Sequence, residues 1–436
     1  MKFKLLVFIT IFISNIQAQK SSDLFISSDI ANFWNAFDKI KSTEDTVLQY
    51  KYLNELFLDK GTEGLKAIME ARQYTAESYL EAIKKYPEFW NSIRKNTFKT
   101  PEFISELKAD IVKLKAIYPD LKPANLYFTI GALRTNGTTR DGRILIGSEL
   151  AMTDRNTVSS EFEEPFASAR RAFFDSEPIN DLVLLNVHEY VHIQQKPMVY
   201  NLLSQCLYEG IAEFVSVTAT GKKSAAPAID FGYKNEKAVR DQFEHDMFRG
   251  NKLQYWLWSD AKNKFNVRDL GYFIGYVIAE RYYSKAKNKK EAIAYLIEMD
   301  YENETEVEKL IDGTGFFSAS VKNLFNEFDK KRPTVISVEP FTYKTTEIDP
   351  KTNLITIHFS QPMNKEFRGF DYGPLGENNV LSVRRFAGFS EDGMSVTIET
   401  ELSPDKQFQV LITNNFQSED GYPLKAHLID IRTAKD

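Results

Sequence analysis

The chain has 436 residues, 43% of them hydrophobic, including 33 Phe and 21 Tyr. That length and apolar content suit two or three packed domains and exclude a disordered chain. A formal net charge of −6 argues against nucleic acid and anionic membrane as partners, and the single cysteine, Cys206, excludes an intrachain disulfide.

Residues 1–18 read as a secretory signal. Lys2 and Lys4 form the charged start, Leu5 to Ile13 the apolar run, and Asn15-Ile16-Gln17-Ala18 the cleavage site. The run is far shorter than the roughly 20 residues that span a bilayer, and no other segment is long and apolar enough, so no transmembrane segment is expected. No cysteine follows it to carry a lipid. The expected location is the periplasm or the cell exterior.

Residues 19–120 are predicted to be helical, with Phe33, Trp34 and Phe37, then Leu53, Leu56 and Phe57, at helical spacings and Pro87 and Pro101 as punctuation. A second region, 121–330, opens with predicted strands at 125–131 and 143–147 around a polar turn at 135–142. Residues 153–180, charged and Ser-rich, read as a surface loop.

The next segment holds the most informative pattern, His188-Glu189-Tyr190-Val191-His192. Leu184, Leu185, Val187, Val191 and Ile193 make it a helix, Asn180 or Asp181 is its expected N-cap, and Pro197 stops it. Histidines four apart lie one turn above each other on one face. Both imidazoles can reach one Zn²⁺ at about 2.0–2.1 Å, with Glu189 beside the metal as general base. A second apolar-periodic segment, 199–215, carries Glu209 and Glu213 on one face among Leu207, Tyr208, Ile211, Ala212, Phe214 and Val215. Carboxylates set among apolar residues need a partner, and a metal is one. Cys206, in the same segment, reads as a small buried hydrophobe. Residues 269–283 form a further predicted helix with Tyr272 and Tyr276 on one face.

Near Arg332-Pro333 the character changes. Short alternating strands are predicted at 354–359, 380–383, 395–400 and 408–413, separated by turn residues. This spacing over residues 333–436 suggests an Ig-like β-sandwich. Phe359-Ser360-Gln361-Pro362-Met363, Asp392-Gly393 and Ser418-Glu419-Asp420-Gly421-Tyr422-Pro423-Leu424 resemble the bacterial Ig-like domains of surface-layer and secreted proteins. His358 and His427 fall here, unrelated to the zinc motif.

His188-Glu189-x-x-His192 followed by Tyr208-Glu209-Gly210-Ile211-Ala212-Glu213-Phe214 resembles the gluzincin metallopeptidases. The resemblance implies Zn²⁺ as cofactor and Glu209 as third ligand. It implies that Glu213 accepts the other ring N–H of a ligand histidine; the exchanged assignment, with Glu213 as ligand, stays open. Within the gluzincins the chain is most similar to predicted zinc-dependent proteases of a domain-of-unknown-function class related to Bacteroidetes gliding-motility lipoproteins. Leu126-Tyr127-Phe128-Thr129-Ile130-Gly131-Ala132, Ile144-Leu145-Ile146-Gly147-Ser148-Glu149 and Leu270-Gly271-Tyr272-Phe273-Ile274-Gly275-Tyr276 carry that likeness. Thr135-Asn136-Gly137-Thr138-Thr139-Arg140 departs from it, being only similar to the Gly-rich stretch expected there.

The implied fold is α+β and multidomain: a mainly helical zincin-like unit with a small sheet over 121–330, joined by the helical region before it, then the all-β Ig-like sandwich. An edge strand of the small sheet would pair with extended substrate. The chemistry also needs a donor for the developing oxyanion, with Tyr276, Tyr272 and His245 as candidates in that order. The expected activity is secreted, zinc-dependent hydrolysis of a peptide or protein. Two alternatives are a non-catalytic zinc-binding protein of cell-envelope or surface assembly built on a peptidase fold, and an adhesin whose Ig-like domain meets protein or polysaccharide at the cell surface.

Overall fold

The computed structural model describes residues 24–164, 166–258, 263–341 and 347–435; the expected signal at 1–18 lies outside them. The chain mixes helices with several small sheets and divides into two compact units. One comprises residues up to 195 together with 215–225, the other 196–214 together with 226–436. Among the described residues no helix is long and apolar enough to cross a membrane.

The first unit begins with short helices from Ser28–Lys41 to Thr100–Ile117. Asp45, Thr62 and Thr75 cap three of them by accepting backbone N–H groups. Pro87 and Pro101 stand in first turns, where a missing N–H costs nothing. Phe33, Trp34, Phe37, Phe57 and Trp90 are buried together, and the Phe33 and Trp90 centroids are 4.8 Å apart. The Trp34 indole N–H finds its acceptor in the Thr97 hydroxyl at 2.9 Å.

A four-stranded sheet takes β1 (Phe25–Ile26) from ahead of these helices in sequence and β2 (Asn125–Thr129), β3 (Gly137–Arg140) and β4 (Arg143–Gly147) from after them, in the order β1-β2-β4-β3. β1, β2 and β4 are parallel, while β3 runs antiparallel to β4 at the edge. β2 and β4 are buried apolar runs, as parallel strands usually are. β3 lies inside the stretch expected to be a turn. Its four residues, Gly-Thr-Thr-Arg, are all half-buried, so no apolar alternation marks it; pairing with β4 makes it a strand. Residues 153–180 likewise depart from the expected loop and contain the helix Phe166–Asp175. Phe174 is fully buried against Phe89, 5.9 Å between centroids, which draws this charged segment into order. The helix α1 (Leu182–His192) closes this part of the unit and packs against β4.

The connection from β2 toward β3 wraps a fully buried carboxylate. Glu149 accepts the N–H of Gly131 at 2.8 Å and of Leu133 at 3.2 Å. Burial pushes its carboxyl up to about 7, against those two hydrogen bonds and the charge of Arg170.

The helix α2 (Leu202–Thr220), whose residues up to Phe214 belong to the second unit, there meets α3 (Leu270–Lys285) backbone to backbone. A β-carbon on Gly210 would fall closer than 3.0 Å to Tyr276 N and Gly275 Cα, and one on Gly275 would do the same to Cys206 O. Further helices run to Val321–Lys330. Two antiparallel sheets follow. One is β5 (Val335–Glu339), β6 (Leu354–Phe359), β9 (Ser395–Glu399) and β8 (Arg385–Phe389) in that spatial order; the other is β11 (His427–Arg432), β10 (Gln407–Ile412) and β7 (Phe370–Asp371). They share a core that includes Ile355, Ile357, Phe359, Val396, Ile398, Val410, Ile412 and Phe416. The expected strand at 380–383 is absent as such: Val380 makes one isolated bridge to Gln409, and the neighbouring residues 385–389 form β8 instead. Arg249 ties this region to the helices before it, donating to Asp420 O at 2.9 Å and stacking 4.2 Å from the Tyr422 ring centroid.

Two measurements follow from these packed elements. Gly275→Ala should lower the unfolding free energy by at least the ~1–3 kcal/mol typical of overpacking, because the new methyl meets backbone that cannot rotate aside; chemical denaturation reads it. Glu149 sets a pH dependence. Its folded pKa is raised, so its contribution is fully present below about 4.5 and is lost as pH rises through about 7, where the buried carboxyl must ionise. Relative to Glu149→Gln, the protein should lose up to roughly 3 kcal/mol across that window. Parallel pH–stability curves for the two proteins would contradict it. Arg170, Tyr74 and Tyr79 face the same carboxylate and remain in both.

Candidate metal centre

α1 is apolar along most of its length, with Leu182, Val183, Leu184, Val187 and Val191 buried. That burial fixes its rotation and turns His188 and His192 inward together. Their rings are 4.6 Å apart at 86°, and His188 is 2% exposed. Two polar anchors fix the helix along its axis. The Tyr190 hydroxyl accepts the N–H of Ala124 at 2.7 Å, at the entry to β2. Gln194 accepts the N–H of Lys122 at 2.9 Å and donates to the same residue's carbonyl at 3.2 Å. Glu189 is half-buried, so its carboxylate keeps access to water.

His192 Nδ1 lies 2.6 Å from Gln195 Oε1. A carbonyl oxygen only accepts, so Nδ1 donates its proton here, and Nε2 is the ring nitrogen that a metal would take. Sequence reasoning gave this kind of role to Glu213 and missed Gln195. The signal available was its place three residues after His192, one turn on.

α2 carries the acids. Glu209 and Glu213 are both buried, at 8% and 6% exposure. His188, His192 and Glu209 each offer one ligand atom, all within 4.8 Å of one another. Glu213 is not in that group. It lies near Tyr276, whose hydroxyl is pushed up to about 12 by burial and then by the charges of Glu280 and Glu213. Tyr276 packs edge-on against Phe214, 5.5 Å between centroids. Tyr272 hydrogen-bonds the Glu209 carboxylate, and burial, followed by that charge, holds its hydroxyl well above the usual range. A neutral phenol beside a carboxylate donates, so Tyr272 orients Glu209. Tyr272 also lines a mainly apolar cavity of about 400 Å³ with Pro227, Ala228, Val267 and Arg268. His245 is outside the three-residue group; its Nδ1 pairs with Asp246 at 2.8 Å. His358 and His427 lie in β6 and β11.

Two imidazoles and a carboxylate, one imidazole already oriented by an amide oxygen, make a donor set whose chemistry fits zinc.

No protein-family model matches the chain, and no curated protein matches it. Solved structures give distant likenesses. The N-terminal part of the bacterial S-layer protein SbsC is 12% identical with a TM-score of 0.18, over 92% of this chain and 68% of that one. Domains 1–6 of surface layer protein SbsC are 13% identical with a TM-score of 0.19, over 77% of this chain and 46% of that one.

The donor set makes a graded prediction. Glu209→Gln should release zinc almost completely on dialysis, whereas Gln195→Leu should weaken retention by roughly 10–100-fold through the misoriented imidazole. Metal analysis of the two variants checks the order. A Glu213→Gln variant that loses zinc more completely than Glu209→Gln would exchange the two glutamates.

Proposed function

We propose that this chain is a zinc-dependent peptidase of the gluzincin kind, secreted, with residues 333–436 forming an Ig-like domain behind the catalytic part. The observation that carries the reading is the close approach of His188, His192 and Glu209, with Glu189 set between the two histidines in sequence. The two antiparallel sheets around one core support the Ig-like assignment. The three residues would hold Zn²⁺. When bound, the ion lowers the pKa of a water and polarises the scissile carbonyl.

The remaining work falls to the chain. Glu189, half-buried and able to meet water, accepts the proton of the attacking water and passes it to the leaving amine. Gln195 and Tyr272 keep His192 and Glu209 in orientation. Tyr276 stays protonated at neutral pH and can donate to the oxyanion as it forms. Among the described residues β3 is an edge strand of its sheet, and an extended peptide would add there as a further strand. The substrate is therefore an unfolded or locally extended polypeptide.

Glu189→Gln keeps size and hydrogen bonding but cannot take a proton. On one casein-like substrate, hydrolysis should fall by about 10²–10⁴-fold while zinc content and thermal stability hold. Equal activity in the two proteins would remove Glu189 from its role. Zinc-loaded wild type inert toward a broad peptide library would leave a zinc-binding surface protein as the better reading.

A further inference from the structure

The residues between β2 and β3 are held from several directions by side chains remote in sequence. Glu149, at the start of the short helix Ser148–Ala151, reaches back to accept Gly131 N–H and Leu133 N–H. Arg170, from the helix Phe166–Asp175, donates to Leu133 O. Tyr79 donates to Ile130 O at 2.8 Å, and the Tyr74 hydroxyl accepts Arg134 N–H at 3.1 Å. Arg134 in turn donates to the carbonyls of Arg72 and Gln73, at 2.8 and 3.0 Å. Leu133 itself has φ +68°, a left-handed conformation that a branched side chain adopts only when its surroundings impose it. A β-carbon on Gly131 would fall closer than 3.0 Å to Glu149 Oε1 and Tyr74. So the segment is fitted around the carboxylate, with no room to spare.

Such an arrangement is costly, because a carboxyl is buried completely and must ionise only near neutrality. β3 follows within three residues of Arg134. It is four residues long, half-buried throughout, and among the described residues it pairs with β4 alone. A strand so short gains affinity for a peptide only if it is already fixed in place, since any ordering on binding subtracts from the hydrogen bonds formed.

We propose that Glu149 is the positioning residue of the peptide-binding edge: by clamping Gly131 and Leu133 it fixes the loop from which Gly137–Arg140 springs, so that an extended substrate meets a preformed strand. The proposal rests on the peptidase reading above. It assigns Glu149 to substrate binding and leaves the proton transfers to Glu189.

The test compares full-length, zinc-loaded wild type with Glu149→Gln, which keeps one acceptor oxygen but turns an N–H toward the other donor. Arg170→Met, which frees Leu133 O and leaves the carboxylate, serves as the second variant should Glu149→Gln fold poorly. Hydrogen exchange over residues 130–140, KM, kcat and zinc content are measured for each. The expected result is exchange about tenfold faster in that segment and KM about tenfold higher, with kcat and zinc content within about twofold of wild type. Unchanged exchange overturns the clamp itself. Faster exchange with unchanged KM overturns the substrate role while leaving the peptidase reading intact. Loss of zinc or kcat with no rise in KM makes Glu149 a general structural residue and overturns the proposal as well. A wild type that cleaves nothing overturns the peptidase reading, and the substrate role with it; the exchange data then still report whether the clamp exists.

Discussion

Helix backbones touch only where neither helix carries a side chain, and Gly210 against Gly275 is such a place. Glu209 is the residue before Gly210, and Tyr276 the residue after Gly275. Close contact between α2 and α3 therefore fixes the depth at which the Glu209 carboxylate sits and brings the Tyr272 hydroxyl to it. Side-chain packing at this crossing would hold the helices farther apart, at the usual 8–10 Å between axes or more. The phenol would then no longer reach the acid, and a buried carboxylate without a donor is expensive. Small residues in the Glu-Gly-Ile-Ala sequence are thus part of the site's geometry even though they bear no chemistry.

The other half of the centre is held by hydrogen bonds. α1 gets its rotation from buried aliphatic residues, but its axial position comes from Tyr190 and Gln194, which bind backbone groups just ahead of β2. Both residues belong to or flank the His188–His192 segment. The segment that supplies the histidines thus also supplies its own fastening, and a slip of the helix along its axis would break three hydrogen bonds together. The same economy recurs at Gln195, where the turn that ends the helix provides the acceptor for His192.

Much of this was legible in the sequence where the signal is local. Histidines four apart on an apolar helix, buried Leu-Tyr-Phe and Ile-Leu-Ile runs, and the change of character after Arg332 all depend on near neighbours. The rest depends on contacts distant in the chain. β3 has no pattern of its own and exists because β4 offers it a ladder. Phe174 orders a charged segment through Phe89, far away in sequence. Residues 380–383 alternate like a strand, yet residues 385–389 make the ladder with β9. Glu149 reads as one acid among many; only the fold reveals that it is fully enclosed.

Cys206 gives the α2–α3 contact a further consequence. Its thiol is fully buried, and a β-carbon on Gly271 would meet its sulfur. Burial, and then the charge of Glu209, push the thiol well above its ordinary range, so the reactive thiolate is nearly absent in the closed state. A thiol reagent can modify this protein only during moments when the packing around Cys206, α3 included, opens. The single cysteine therefore works as a built-in clock: its labelling rate counts openings of the packing beside Glu209, without any added probe.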